Sequence, residues 1–508
     1  MDIINEKKVL DFYLSEMDKN SIAFLRNKPW YKEDISREIL KLREETEMHN
    51  KIKICKSLWK LLFEASMSFI DPDRRGYDDL FQYFDEYVNF EELIFASDSF
   101  YRDHTMHCLW VYFLGEYIIK NNEFKPFFNK YGTENAELLK FCAMLKESKY
   151  SELFQGFIEF EDLIFTVDGY NDSVRCLGAL THDLGYPIKK INSINKNIKN
   201  ILPHFGIKNF SEFEFSYSDI HDNLIKDFLN YLSYSYSFSN DSNKQLDKIF
   251  GRIFIFNNLG FVCGINEESL LKLTEEEKET LKDNKLNLEI IFNYSEHMRY
   301  SKDFENYHHG IMSAFLLFRK LPVFYNKRFG YSDYKNLRVK KTDYVKTSIL
   351  SGILKSITEH TSEGYQISKI VDDSAYLTFI DELEEFSRIS RANQNRQYIN
   401  EFCKSNIYCE DGYLNIDFIF DNTEIDNLDP ERAFKGRCKR FLTLFNISEL
   451  DDNFKLKIRC IGNLSYDHNV YMLEIRNKFA NITINDEEKN MPQYLKSKEF
   501  LTKEAYAF

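Results

Sequence analysis

Apolar residues recur at steps of three and four over most of the chain, from Leu58, Leu61, Leu62 and Ala65 near its start to Val345, Ile349, Ile353 and Ile357 far downstream. That spacing gives a helix one buried face. It predicts a run of amphipathic helices over residues 3–95. A further helix is expected over 99–120, where Leu109, Trp110, Phe113, Leu114, Tyr117 and Ile118 form one broad face that stops at Asn121 and Asn122. Residues 121–172, polar and aromatic, read as one or two helices. The next helix carries Cys176-Leu-Gly-Ala-Leu-Thr-His-Asp-Leu-Gly-Tyr-Pro187 and is expected to close at Gly185 and Pro187. Three more are expected near 307–319, 342–360 and 374–388.

The pattern weakens over 190–289, where Asn, Ser, Asp, Phe and Tyr dominate, and this stretch reads as an irregular insertion or lid. It changes kind after about residue 406. Residues 413–420 and 454–476 alternate or carry β-branched runs, on either side of helical spacing over 430–445 and a polar, acidic loop at 421–429. A mainly α protein follows, with a helical lead-in (1–95), a helical core (96–400) with insertions at about 121–172 and 190–289, and a small α+β C-terminal appendage (406–508). At 508 residues the chain exceeds what one hydrophobic core usually serves, and 43% hydrophobic residues with only 8 Pro and 18 Gly suit extensive helix packing.

Charge narrows the partners. With 67 basic against 81 acidic residues, a net charge of -14 argues against a general nucleic-acid surface or an anionic membrane surface, since both need a basic face. The nine cysteines are scattered and form no C-x-x-C pair, which disfavours a zinc knuckle or a disulfide framework and suits a reducing compartment. The first residues lack the apolar core of a signal peptide, and no apolar run approaches about 18 residues. The expectation is a soluble, cytoplasmic protein with no membrane partner, in which a homo-oligomer remains open.

The chemistry centres on His182 and Asp183, two good metal ligands placed side by side in an apolar pattern. A buried imidazole and carboxylate cost free energy without partners, and a shared cation supplies one. His360 continues the stripe Val345, Ile349, Ile353, Ile357 three residues on, so its ring is expected to point at the core. Asp381 lies four residues after Leu377 on a partly apolar face, and Arg388 lies seven beyond Asp381, placed to pair with it or with an anionic ligand. Gly178 and Ala179 precede His182 by four and three, which permits close helix approach.

These residues resemble the HD-domain metal-dependent phosphohydrolases, a family named after the adjacent pair matched here by His182-Asp183. The resemblance extends to an upstream histidine in Tyr101-Arg-Asp-His-Thr-Met-His-Cys-Leu-Trp110 and a downstream aspartate in Leu377-Thr-Phe-Ile-Asp-Glu-Leu383, and implies His104, His182, Asp183 and Asp381 as ligands of one metal. Members with two metals add histidines between the pair and the last aspartate, and His309 and His360 look like those. The implied fold is an HD-type helical core, and the implied cofactor is one or two divalent ions, with Mn, Fe, Co, Ni, Zn and Mg all compatible. Asp183, His309, His360 and Arg388 are then the expected catalytic residues, with His308 or His309 an alternative proton donor. Arg175, Lys189, Lys190 and Arg388 are candidates for holding a substrate phosphate. The implied activity is hydrolysis of a small-molecule phosphate ester or nucleotide by metal-activated water. Alternatives are a cyclic-(oligo)nucleotide phosphodiesterase or nuclease, and a non-catalytic nucleotide-binding regulatory or interaction protein. Gly185-Tyr-Pro187 sits directly on the His-Asp pair, unlike the Gly-Tyr-Pro signature of the cyclic-dinucleotide branch, and a full deoxynucleotide triphosphohydrolase pattern is missing. The remaining histidines, His49, His107, His204, His221, His297 and His468, are expected to be structural or on the surface, and Arg388 has surface ion pairs with Glu384 and Glu385 as its structural alternative.

Overall fold

Cap residues and apolar stripes set the helices of the lead-in. The computed structural model describes residues 4–95, 100–128, 143–154, 171–207, 211, 216–217, 219–239, 244–256, 262–282, 287–325, 341–391, 398–399, 403–423, 428–492 and 495, without side chains at some positions, Arg388 among them. The lead-in forms α1 (Glu6–Asp18), α2 (Pro29–Glu44), α3 (Met48–Met67) and α4 (Tyr77–Phe95). Asn5 accepts from the Lys8 N–H at the start of α1, and Pro29 opens α2. The lead-in is welded to the rest. Trp59 donates to Leu180 O at 2.7 Å and the Tyr83 hydroxyl to Leu184 O at 2.5 Å, so α3 and α4 brace the chain on both sides of His182-Asp183.

The short strand β1 (Phe100–Arg102) leads into α5 (His104–Lys120), which is buried on nearly every face from His104 to Ile118 and is capped by Asp103. Next come α6 (Asn171–Thr181), α7 (Tyr186–Ile201) and α8 (Asp219–Leu232). Helix α6 sits at the centre of the core and packs against α3 and α5. Within the segment expected to be irregular, the described residues include regular elements. Leu224, Phe228 and Leu232 repeat every four residues on α8, with Phe228 and Leu232 buried. After α8, β2 (Tyr234–Ser239) pairs antiparallel with β3 (Asn287–Phe292), a two-stranded stalk running from Tyr234 opposite Phe292 to Ser239 opposite Asn287. Beyond the stalk, Ile249, Ile253, Phe254, Leu270, Leu273 and Leu281 join Leu145 and Phe154 from the earlier insertion in a small hydrophobic cluster of their own. Among the described residues the two insertions therefore share one satellite cluster.

The core resumes with α9 (Tyr294–Glu305), α10 (His309–Lys320), α11 (Lys341–Glu359) and α12 (Asp373–Leu383), of which α11 and α12 also pack on α6. Helix α12 stops at Leu383, short of the expected residue 388, because Glu384 turns the chain by accepting from the Ser387 N–H at 2.8 Å and the Ser387 hydroxyl at 2.5 Å. Arg388 then begins a strand, Arg388–Arg391, that pairs antiparallel with β1.

The appendage is an α+β unit, as its alternation indicates. Its six strands lie in one sheet, antiparallel except where residues 413–420 and 456–462 run parallel, and helix Pro430–Leu444 makes the crossover between those two. One continuous hydrophobic cluster runs from α1 through the central helices into this sheet. Arg437 fastens the two, donating to Glu385 at 2.9 Å with its guanidinium 3.4 Å from the Phe418 ring centre. No helix among the described residues is long and apolar enough to cross a membrane.

Candidate metal centre

His182 and Asp183 occupy a tight turn between two helices. Helix α6 ends at Thr181, and Pro187 lies in the first turn of α7, so it opens that helix and closes none. The Ser313 hydroxyl from α10 donates to His182 O and accepts from Gly185 N–H, both at 2.6 Å, which locks the turn onto α10. A Cβ on Gly185 would stand 2.3 Å from His309 O and 2.6 Å from Met312 Cβ. Only glycine lets α10 come this close, and the closeness brings His309 to Asp183.

Four side chains from three segments face one another at the turn. His107 Nε2 lies 3.3 Å from His182 Nε2, 2.8 Å from Asp381 Oδ1 and 3.7 Å from Asp183 Oδ2. His182 Nε2 is 3.4 Å from Asp183 Oδ2 and 3.9 Å from Asp381 Oδ1. Donor atoms about 2.0–2.2 Å from a common ion stand roughly 3–4 Å apart, so these separations suit one cation. The outer nitrogens fix the rings. His182 Nδ1 faces Ala179 O at 2.7 Å and His107 Nδ1 faces Glu384 Oε2 at 2.5 Å, acceptors that require the proton on Nδ1. In neutral rings the two Nε2 lone pairs then point at each other. Without a cation a proton relieves this: burial opposes charging His182, but the Asp183 carboxylate more than offsets it and raises its pKa well above the usual value.

The other oxygen of Asp183 meets a second pair. Its Oδ1 lies 3.1 Å from His309 Nε2 and 3.8 Å from His360 Nε2. His360 Nδ1 faces Ile357 O at 2.5 Å, so its Nε2 is unprotonated in the neutral ring, buried and without a hydrogen-bond partner. Burial lowers the His309 pKa to about 3, which keeps that ring neutral and able to bind a metal. Gly310 permits this side too, since a Cβ there would meet Ile357 O at 2.5 Å and His360 Cε1 at 2.9 Å. One ligand atom each from His107, His182 and Asp381, and likewise from Asp183, His309 and His360, falls within 4.8 Å of the others in its set. The chemistry of the donors fits a divalent cation held by imidazole and carboxylate.

Of the residues expected from sequence, the structure brings together His182, Asp183, His309, His360 and Asp381. His104 is turned away. It starts α5 and its Nδ1 bonds Glu91 Oε2 at 2.8 Å, while its ring stacks 4.0 Å from Tyr186. The histidine that α5 contributes is His107, one turn further in, which had been expected to be structural. Because α5 is apolar all round, its pattern carries no facing information that separates 104 from 107. Glu384, expected at the surface, is wholly buried and orients His107, and Glu385 is buried against Arg437.

The cations also sort differently. Arg175 is buried two helical turns before His182, bonding Glu116 at 2.7 Å and pairing with Asp172, so it is committed inside the core. Arg388 does not share a helix with Asp381, and its side chain lies outside the described residues. Lys190 sits over the Tyr186 ring at 4.8 Å. Lys189 is exposed and makes no ion pair among the described residues. Desolvation and the nearby Arg440 lower its pKa, and Asp183 acts in the opposite direction. His308 caps α10 with Nδ1 3.3 Å from Asp303.

Comparison with protein-family models, with curated proteins and with solved structures gave no match to this chain.

Proposed function

We propose that this chain is an HD-type metal-dependent phosphohydrolase that cleaves a phosphate ester, with a nucleotide or nucleotide-like small molecule as its substrate. One observation carries the reading: the Nε2 atoms of His107 and His182 lie 2.8–3.9 Å from each other and from carboxylate oxygens of Asp183 and Asp381, with a second imidazole pair on the far oxygen of Asp183. His107, His182, Asp183 and Asp381 would hold one divalent ion, and Asp183 with His309 and His360 a second. A divalent ion in such a site acidifies water and screens the charge of phosphoryl oxygens.

The chain's own residues supply the rest. Glu384, Ala179 O and Ile357 O hold the three imidazoles at one tautomer each, so no reorientation is needed when substrate arrives. The packing of α3, α4, α5 and α12 around the turn excludes bulk water from its inner side, and His309, 15% exposed, marks the open side. Lys189 stands on that side as the cation for a substrate phosphate. The mainly acidic surface leaves this local charge as the attraction for an anionic small molecule.

The test is hydrolysis of p-nitrophenyl phosphate, bis-p-nitrophenyl phosphate and a nucleotide panel, with Mn, Fe, Co, Ni, Zn or Mg supplied singly. Turnover that chelator abolishes and that His182→Ala with Asp183→Ala removes is the expected result. Turnover unchanged by both treatments contradicts the proposal. Tight nucleotide binding without turnover under every metal would shift the reading to a regulatory module.

A further inference from the structure

Cys108 follows His107 in α5 and is buried, yet nothing in the site as described uses its thiol. Its Sγ, one ligand atom of His182 and one of Asp183 all lie within 4.8 Å of one another, a third donor set that shares members with the other two. Among the other buried thiols, Cys403 faces the Arg437 guanidinium and Glu385, a surrounding with a cation already built in. Cys108 faces an imidazole and a carboxylate and has the composition of a ligand set. A separate observation lies in the donor set that shares Asp183: His360 Nε2 is buried, has no hydrogen-bond partner and looks at Asp183 Oδ1 from 3.8 Å.

We propose that Cys108 supplies a sulfur donor to the cation held by His182 and Asp183, so that the centre selects Zn, Fe or Co over Mg and Mn. This rests on the reading of the cluster as a metal centre. Sulfur is a soft ligand, and thiolate donors favour Zn and Fe, whereas Mg and Mn favour all-oxygen sets. Coordination exchanges the thiol proton, released to solvent, for the ion, with no change of oxidation state. Burial suits this role, since a sulfur held among helices is shielded from other thiols and from oxidants that approach through solvent.

The experiment is the optical spectrum of the full chain, stripped of metal and loaded with cobalt(II). Visible bands report bound cobalt whatever the donors, and a near-ultraviolet charge-transfer band appears only when sulfur coordinates. The wild type is expected to show both. Cys108→Ser, and Cys108→Ala as a second variant, are expected to keep the visible bands, lose the near-ultraviolet band and surrender roughly 10- to 100-fold of the preference for zinc over magnesium. Visible bands without the near-ultraviolet band in the wild type overturn the sulfur proposal and leave the metal centre standing, as does a near-ultraviolet band that survives in both variants. Absence of cobalt binding in the wild type overturns both.

Discussion

The two ends of helix α6 solve the same problem differently. At its start, Arg175 bonds Glu116 at 2.7 Å and pairs with Asp172, Lys120 lies 3.4 Å from Asp172, and the Ala23 N–H donates to Asp172 at 2.7 Å. Two carboxylates meet two cations, and the buried charge is balanced within the chain. Just past its other end, Asp183 has imidazoles as its ion-pair partners, His107, His182, His309 and His360, and among the described residues no Lys or Arg is paired with it. Both ends are buried and polar, so burial alone does not mark a functional site. What separates them is whether the counter-charge comes from Arg and Lys or from imidazoles.

The comparison breaks most severely at Arg175. Arg175→Met leaves Glu116 and Asp172 buried with half their counter-charge, and a loss of about 3–5 kcal/mol in urea unfolding is expected, with metal affinity per folded molecule unchanged. A loss under 1 kcal/mol would show that this end is not held by its own ion pairs. His107→Ala is the matching change at the other end. It is expected to weaken metal binding by more than about 100-fold in isothermal titration, while His104→Ala leaves the affinity within about twofold. The reverse order would restore His104 as the ligand. Gly185→Ala is expected to cost about 1–3 kcal/mol, because the new methyl must push His309 O and the start of α10 away, and to weaken the His309 and His360 side more than the His107 side.

The smallest effect is the pH dependence of the balanced end. Burial alone would raise the Asp172 pKa, but Arg175 and Lys120 hold it below the ordinary 3.8. A depressed carboxylate stabilises the fold at pH values above the unfolded pKa and loses that contribution as pH falls through the folded one. Unfolding midpoints followed below pH 4 should therefore show an acid-sensitive limb that Arg175→Met flattens. Equal limbs in the two proteins would mean Asp172 is not held by Arg175.

Much of the site was legible in the sequence because its carriers interrupt apolar helices: His182 and Asp183 after Leu180, His360 at the end of an Ile stripe, Asp381 within the buried face of α12. The helical class and the α+β appendage were legible for the same reason, through period. His107 was not, since α5 is buried on all sides and its pattern names no face. Glu384 and the end of the helix were misread together: a helix extended to 388 leaves Glu384 beside Arg388 for a surface ion pair, whereas the Glu384–Ser387 bonds end α12 and turn Glu384 inward. The satellite cluster escaped because its small core is assembled from two segments far apart in the chain.

The central claim is that the turn after α6 takes its positive charge from a divalent ion held by His107, His182, Asp183 and Asp381. An anomalous difference map from crystals of the zinc-loaded protein tests it most directly. The expected result is a peak about 2.0–2.3 Å from His107 Nε2, His182 Nε2 and both aspartates. A map with no peak there, or with zinc bound at His104 and Glu91 instead, would contradict it.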